Sequence, residues 1–328
     1  MNKLRPARLI STALLTLGAT AAPLSASYAN TADDPTGHVL FRKTYPRDRQ
    51  AYFAAAADGD SQRVLTRPGA YCCLLRVSPD DQLILVMPGS ITELPVTGGT
   101  VGIDGTGYRK LTLTDPSLNL VPQAWSPDGH RIAYEGWDFD DPDRTGIYTA
   151  SYPDGTDLVR VTTRPGSAHD MPLDFSPDGK QLVFYRAARS EDDGPADLGG
   201  SLWVVNTDGT NPHQISTDAV PPNWWARWSP DGSRILFASE RLQPSGAIWT
   251  VDPDGSHVTR VFADSKGGFP IEPTWSPDGD WIMFALDPTN DQFTHPANRL
   301  VAIRPDGRGL RVISATHDFK SQPEWYEE

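Results

Sequence analysis

The chain has little of what marks a ready-made reaction centre or a long-range covalent staple. Its 328 residues include 2 cysteines, Cys72 and Cys73, and these are adjacent. Consecutive Cα atoms lie about 3.8 Å apart, short of the usual disulfide span, so a bond between them would be a strained local ring. Two small thiols on opposite faces of a strand are the alternative reading. Neither arrangement joins distant parts of the chain. Cations are also scarce: 29 Lys and Arg face 42 Asp and Glu, a net charge of -13. That balance excludes a general binder of nucleic acid or anionic membrane, whose affinity comes from clustered cations. Solubility is the simplest reading of the acidity. Neither a Gly-x-Ser-x-Gly elbow nor a His-Glu-x-x-His helix motif is present, which removes the commonest serine- and zinc-hydrolase signatures.

Long apolar runs are missing except at the start. Residues 1–29 carry Lys3, Arg5 and Arg8, then the apolar "LISTALLTLGATAAPL", then the small residues of "SASYA". This is the order of a cleaved secretory leader, with cleavage after Ala29 or Ala26. An uncleaved anchor is the alternative, although Thr, Gly and Pro interrupt its apolar core. Cleavage at Ala29 removes three cations and no acid, taking the mature chain to -16. Residues 30–36 read as a short linker, and residues 37–328 as one domain.

What the chain has in abundance is repetition. "AWSPDGHRIAYEGW" at 124, "DFSPDGKQLVFYRA" at 174, "RWSPDGSRILFASE" at 227, "TWSPDGDWIMFALD" at 274 and a worn "RVSPDDQLILVMPG" at 76 are copies of one unit. Between them lies a second motif, Asp-Gly, whose aspartates are Asp58, Asp104, Asp154, Asp208, Asp254 and Asp306. Proline presets φ at the second turn position, aspartate bonds the backbone ahead and glycine accepts positive φ, so each motif closes an antiparallel hairpin. Two hairpins in series make a four-stranded unit of about 50 residues, which must stack on its neighbours to bury its faces. The aromatics before the serine (Trp125, Phe175, Trp228, Trp275) and at the end of the next strand (Tyr134, Phe184, Phe237, Phe284) are read as core. The chain starts inside a unit and ends on that unit's missing strand, "QPEWYEE". The predicted fold is therefore all-β, a six-bladed β-propeller of four-stranded antiparallel blades, closed by N- and C-terminal strands in one blade.

The repeated "WSPDG-x-x-I-x-F" followed by "DGT" resembles the repeat of TolB-like propellers, from Gly37 to Glu328. Similar propellers form the non-catalytic domain of prolyl-oligopeptidase-like enzymes and the fold of oligogalacturonate lyases. The resemblance implies the fold and leaves the function open.

In such a ring the short Ser-Pro-Asp-Gly and Asp-Gly turns share one face, and the loops of varied length share the other. Binding is expected on the long-loop face. Its candidates are Trp137, Trp224, Trp225, Phe269, Phe293 and Phe319, with the acidic runs Asp138, Asp140, Asp141, Asp143 and Glu191, Asp192, Asp193. His169 and His317 occupy matched loops, and His295 shares their face. Resemblance to the lyases implies a metal role for these histidines, and Asp138, Asp140 and Asp143 offer hard oxygen ligands; a satisfied loop backbone and a solvated turn are the competing readings. His130, His213 and His257 are read as surface residues of the short-turn face. The expected function is an exported, non-enzymatic propeller, monomeric and without a cofactor, that binds a protein, peptide or glycan. The alternatives are a lyase or hydrolase at the channel mouth and a scaffold within an envelope complex.

Overall fold

The computed structural model describes residues 34–45, 49–59, 61–89, 95–163, 170–187, 200–216, 225–239, 246–287, 298–314 and 319–327. The candidates Trp224, Phe293, His169, His295 and His317, and the run Glu191 to Asp193, lie outside them. Among the described residues no helix is long and apolar enough to cross a membrane.

Six four-stranded antiparallel sheets form the ring. Their innermost strands are Tyr71–Val77, Asn119–Trp125, Asp170–Phe175, Arg227–Trp228, Phe269–Trp275 and Phe319–Tyr326. We number the blades so that the last of these belongs to blade 1 and the others to blades 2 to 6 in order. In blade 1 the C-terminal strand pairs with His38–Tyr45, His38 facing Tyr326 and Val39 facing Trp325. Arg49–Ala56 and Arg63–Val64 complete that sheet. The closure read from "QPEWYEE" is therefore the observed one. It seals the ring without a covalent turn, because strand pairing alone joins the two ends.

Each Ser-Pro-Asp-Gly hairpin is stitched the same way. In blade 3 the Ser126 hydroxyl donates to Asp128 Oδ1 at 2.6 Å and accepts from Arg131 N at 2.8 Å, while His130 N donates to the same aspartate oxygen at 3.0 Å. Bonds from the serine hydroxyl hold the carboxyl of Asp128 below the usual carboxylate range, and the same cause acts on Asp80, Asp178 and Asp231. The fourth residue needs a left-handed backbone. Gly129 has φ +71°, and the worn copy in blade 2 puts Asp81 there at φ +56°.

The core lies between blades, as the stacking argument requires. Tyr134, Phe184, Phe237 and Phe284 are fully or almost fully buried, and Trp125, Phe175, Trp228 and Trp325 nearly so. Six apolar clusters each span two neighbouring blades; one joins Leu173 and Val183 of blade 4 to Trp228 and Phe237 of blade 5.

Candidate functional site

A second set of residues emerges only from the closed ring. The residue just before the packing side chain at the end of each inner strand, Val77 in blade 2 and an aromatic in the other five, is Arg76, Ala124, Asp174, Arg227, Thr274 or Glu324, and all six line one cavity of about 270 Å³ on the channel axis. Local backbone irregularity helps to aim them. The inner-strand pairing shifts register immediately before this position in blades 2, 3, 4 and 6, the mark of a β-bulge that re-aims a side chain. Two residues earlier in the repeat, Trp225, Glu272 and Gln322 have φ of +113°, +55° and +50°, rare for side-chain-bearing residues.

The channel is a buried charge network. Glu324 Oε1 accepts from Arg76 Nη1 at 3.0 Å and from Arg227 Nη2 at 2.5 Å, so the C-terminal strand is tied to blades 2 and 5 at once. Arg227 Nη1 also donates to Leu173 O at 3.0 Å. Asp174 accepts from Trp228 N at 2.9 Å, and Glu272 accepts from Gln322 N while lying 3.9 Å from Arg42. Burial lowers Arg76 to about 10, helped by the neighbouring Arg227. Burial pushes Asp174 up to about 6 against the pull of Arg227, and raises Glu272 in the same way. Sequence reading passed over these residues. Their one signal was that a single column of a regular repeat changes from Arg to Ala to Asp to Arg to Thr to Glu.

On the opposite, long-loop face the connection 138–145 of blade 3 is fully described. Asp138 is buried; its Oδ1 accepts from Asp140 N at 2.9 Å and its Oδ2 from Arg144 Nη1 at 2.7 Å. Arg144 also pairs with Asp115 and donates to Ser117 Oγ at 2.6 Å. Asp141 caps a single 3-10 turn, Pro142–Arg144, and the Tyr148 hydroxyl donates to Arg144 O at 2.6 Å. Backbone N–H groups of Asp140 and then Asp141, followed by Arg144, hold the Asp138 carboxyl below the usual range against its desolvation. The loop is thus a built platform. It carries Trp137, half-buried against the apolar cluster of blades 2 and 3, and Phe139, 67% exposed. Their rings meet edge to face at 6.4 Å.

Asp138, Asp140 and Asp143 are not gathered as metal ligands: the first turns inward to the backbone and Arg144, the others outward. Among the described residues no group of three or more His, Cys, Asp or Glu is placed to hold a metal. Phe269 is buried in the inner strand of blade 6, beside Gly246, and is a packing residue. Trp225 is half-buried at the entry to the inner strand of blade 5. Of the three surface histidines, His213 departs from expectation. Its Nε2 lies 2.9 Å from Pro253 O, which bonds blade 4 to a turn of blade 5. His130 and His257 are exposed. Cys72 Sγ lies 3.5 Å from Pro88 O.

Comparison with known proteins follows the same lines. The family model described as the TolB beta propeller domain matches residues 100–326, well over half of the chain. The chain belongs to the TolB β-propeller family. An uncharacterized protein of Agrobacterium fabrum is 29% identical over 225 residues, which are 63% of this chain and 67% of that one. An uncharacterized peptidase of Bacillus subtilis is 25% identical over 118 residues, 34% of this chain but 16% of the peptidase. Among solved structures, TolB from Acinetobacter baumannii superposes with a TM-score of 0.65 at 17% identity, covering 89% of this chain and 67% of that one. That likeness is one of fold. Membership of the TolB family accounts for the ring.

Proposed function

We propose that this TolB-family propeller is exported and acts as a non-enzymatic binding protein, holding a protein, peptide or glycan partner on its long-loop face. The observation that carries this reading is the blade 3 platform. A loop needed only to connect two strands would be short and would leave no large apolar ring in water, yet this one is braced by Asp115, Asp138 and Arg144 and holds Phe139 out to solvent. The leader at residues 1–29 supports export.

The test is capture of the native partner from culture fluid or envelope by the wild-type protein and by two variants, Phe139→Ala and His257→Ala. The first should weaken binding at least 30-fold, about 2 kcal/mol for an anchoring aromatic. The second, on the short-turn face, should leave it unchanged; the reverse pattern places the working face at the opposite end of the channel. Stoichiometric Mn, Zn or Fe in the purified native protein would overturn the non-enzymatic reading.

A further inference from the structure

The residues around Phe139 narrow the partner's chemistry. Phe139 is the most exposed large apolar side chain among the described residues. Beside it stand Asp140, Asp141 and Asp143, all exposed. The cation within the loop, Arg144, is already bound to Asp115 and Asp138. No ion pair joins Asp140, Asp141 or Asp143 to a cation of the described residues. The platform therefore presents an aromatic ring flanked by carboxylates that no guanidinium pairs, Arg160 being held instead at the backbone carbonyls of Asp143 and Thr145, on a chain of net charge -13.

We infer that this platform is the docking point for a cationic side chain, a lysine or arginine displayed by a protein or peptide partner. The reading deepens the proposed function and rests on it. A ring face attracts a cation through its quadrupole, and adjacent carboxylates supply charge-assisted hydrogen bonds to the same group. A neutral sugar would use the ring and gain nothing from the net charge. An anionic partner would be repelled. Trp137 meets the ring edge to face at 6.4 Å, a contact that narrows its freedom before any partner arrives.

Fluorescein-labelled hexa-arginine is the probe, its binding followed by fluorescence anisotropy at constant ionic strength. Phe139→Ala preserves charge and removes an exposed ring, so the variant folds; it should weaken binding about tenfold. Asp140→Asn with Asp143→Asn should weaken it by at least as much. Asp254→Asn with Asp306→Asn, which removes the same charge from exposed turns of the other face, should change it by less than twofold. Equal losses from both aspartate pairs, or no loss from Phe139→Ala, would reduce the attraction to diffuse electrostatics and overturn the inference. So would tighter binding of neutral maltohexaose at Phe139. If Phe139→Ala abolishes capture of the native partner but leaves hexa-arginine binding intact, the long-loop reading stands and the cationic partner falls.

Discussion

Two positions of the inner strand, two residues apart along the chain, behave in opposite ways. At the turn, Ser78, Ser126, Ser176, Ser229 and Ser276 repeat without variation, each donating its hydroxyl to the aspartate two residues on. Just upstream, Arg76, Ala124, Asp174, Arg227, Thr274 and Glu324 share a place in the fold and little else. The turn answers only to local backbone geometry, which is alike in these five blades, so one solution serves them, while blade 1 has Tyr326 there and closes by strand pairing. The channel residues answer to one another across the axis, and six identical ionised side chains there would repel. Uniformity marks a local constraint, and variation at a fixed position marks a shared one.

The sharpest way to break this contrast is at the closure. Removing Pro323 to Glu328 deletes Trp325 and Tyr326 from the blade 1 core and Glu324 from the channel. Stability should fall by several kcal/mol, on the order of 10 °C in melting temperature. A truncated protein that melts with the wild type would refute the ring as the unit of stability.

Next in size is Glu324→Gln, which keeps the shape but leaves Arg76 and Arg227 facing each other. A loss of about 3 kcal/mol is expected by chemical denaturation, because a broken buried pair strands its charges. A smaller loss would mean that water in the channel already screens them.

Asp174 tests the same network with pH. Its folded-state value of about 6 lies above the ordinary 3.8, so the native protein holds the proton more tightly than the unfolded chain. Its contribution is therefore favourable below about pH 4 and is lost as pH rises through 6. Asp174→Asn should be more stable than wild type by about 2 kcal/mol at pH 7.5 and equal to it at pH 4. Parallel stability curves across that range would locate the titration elsewhere.

The smallest effect belongs to the turn. Asp81 holds a left-handed backbone that the other copies give to glycine, while its carboxylate accepts from Glu327 N at 3.2 Å. Asp81→Gly should raise stability by less than about 1 kcal/mol. A fall in melting temperature would show that the contact with the C-terminus outweighs backbone strain.

Reading the sequence reached the ring, its closure and the packing aromatics, because these depend on spacing and turn chemistry that each copy restates. At the candidate site it reached the blade 3 loop through Trp137 and its aspartates. It passed over Phe139, whose neighbours in the sequence do not say whether a phenylalanine is buried. It took Phe269 for a loop aromatic, although an inner strand of blade 6 buries it.

By itself, then, the sequence determined the number of blades, the strand that closes them and the face on which each loop emerges, all consequences of hydrogen bonds between residues near in the chain or of a phase that only one partner completes. Tertiary structure alone decided which charges meet. Glu324 lies 248 residues from Arg76 and 97 from Arg227, and no local rule reports that three such side chains will share one low-dielectric space until the ring has brought them there.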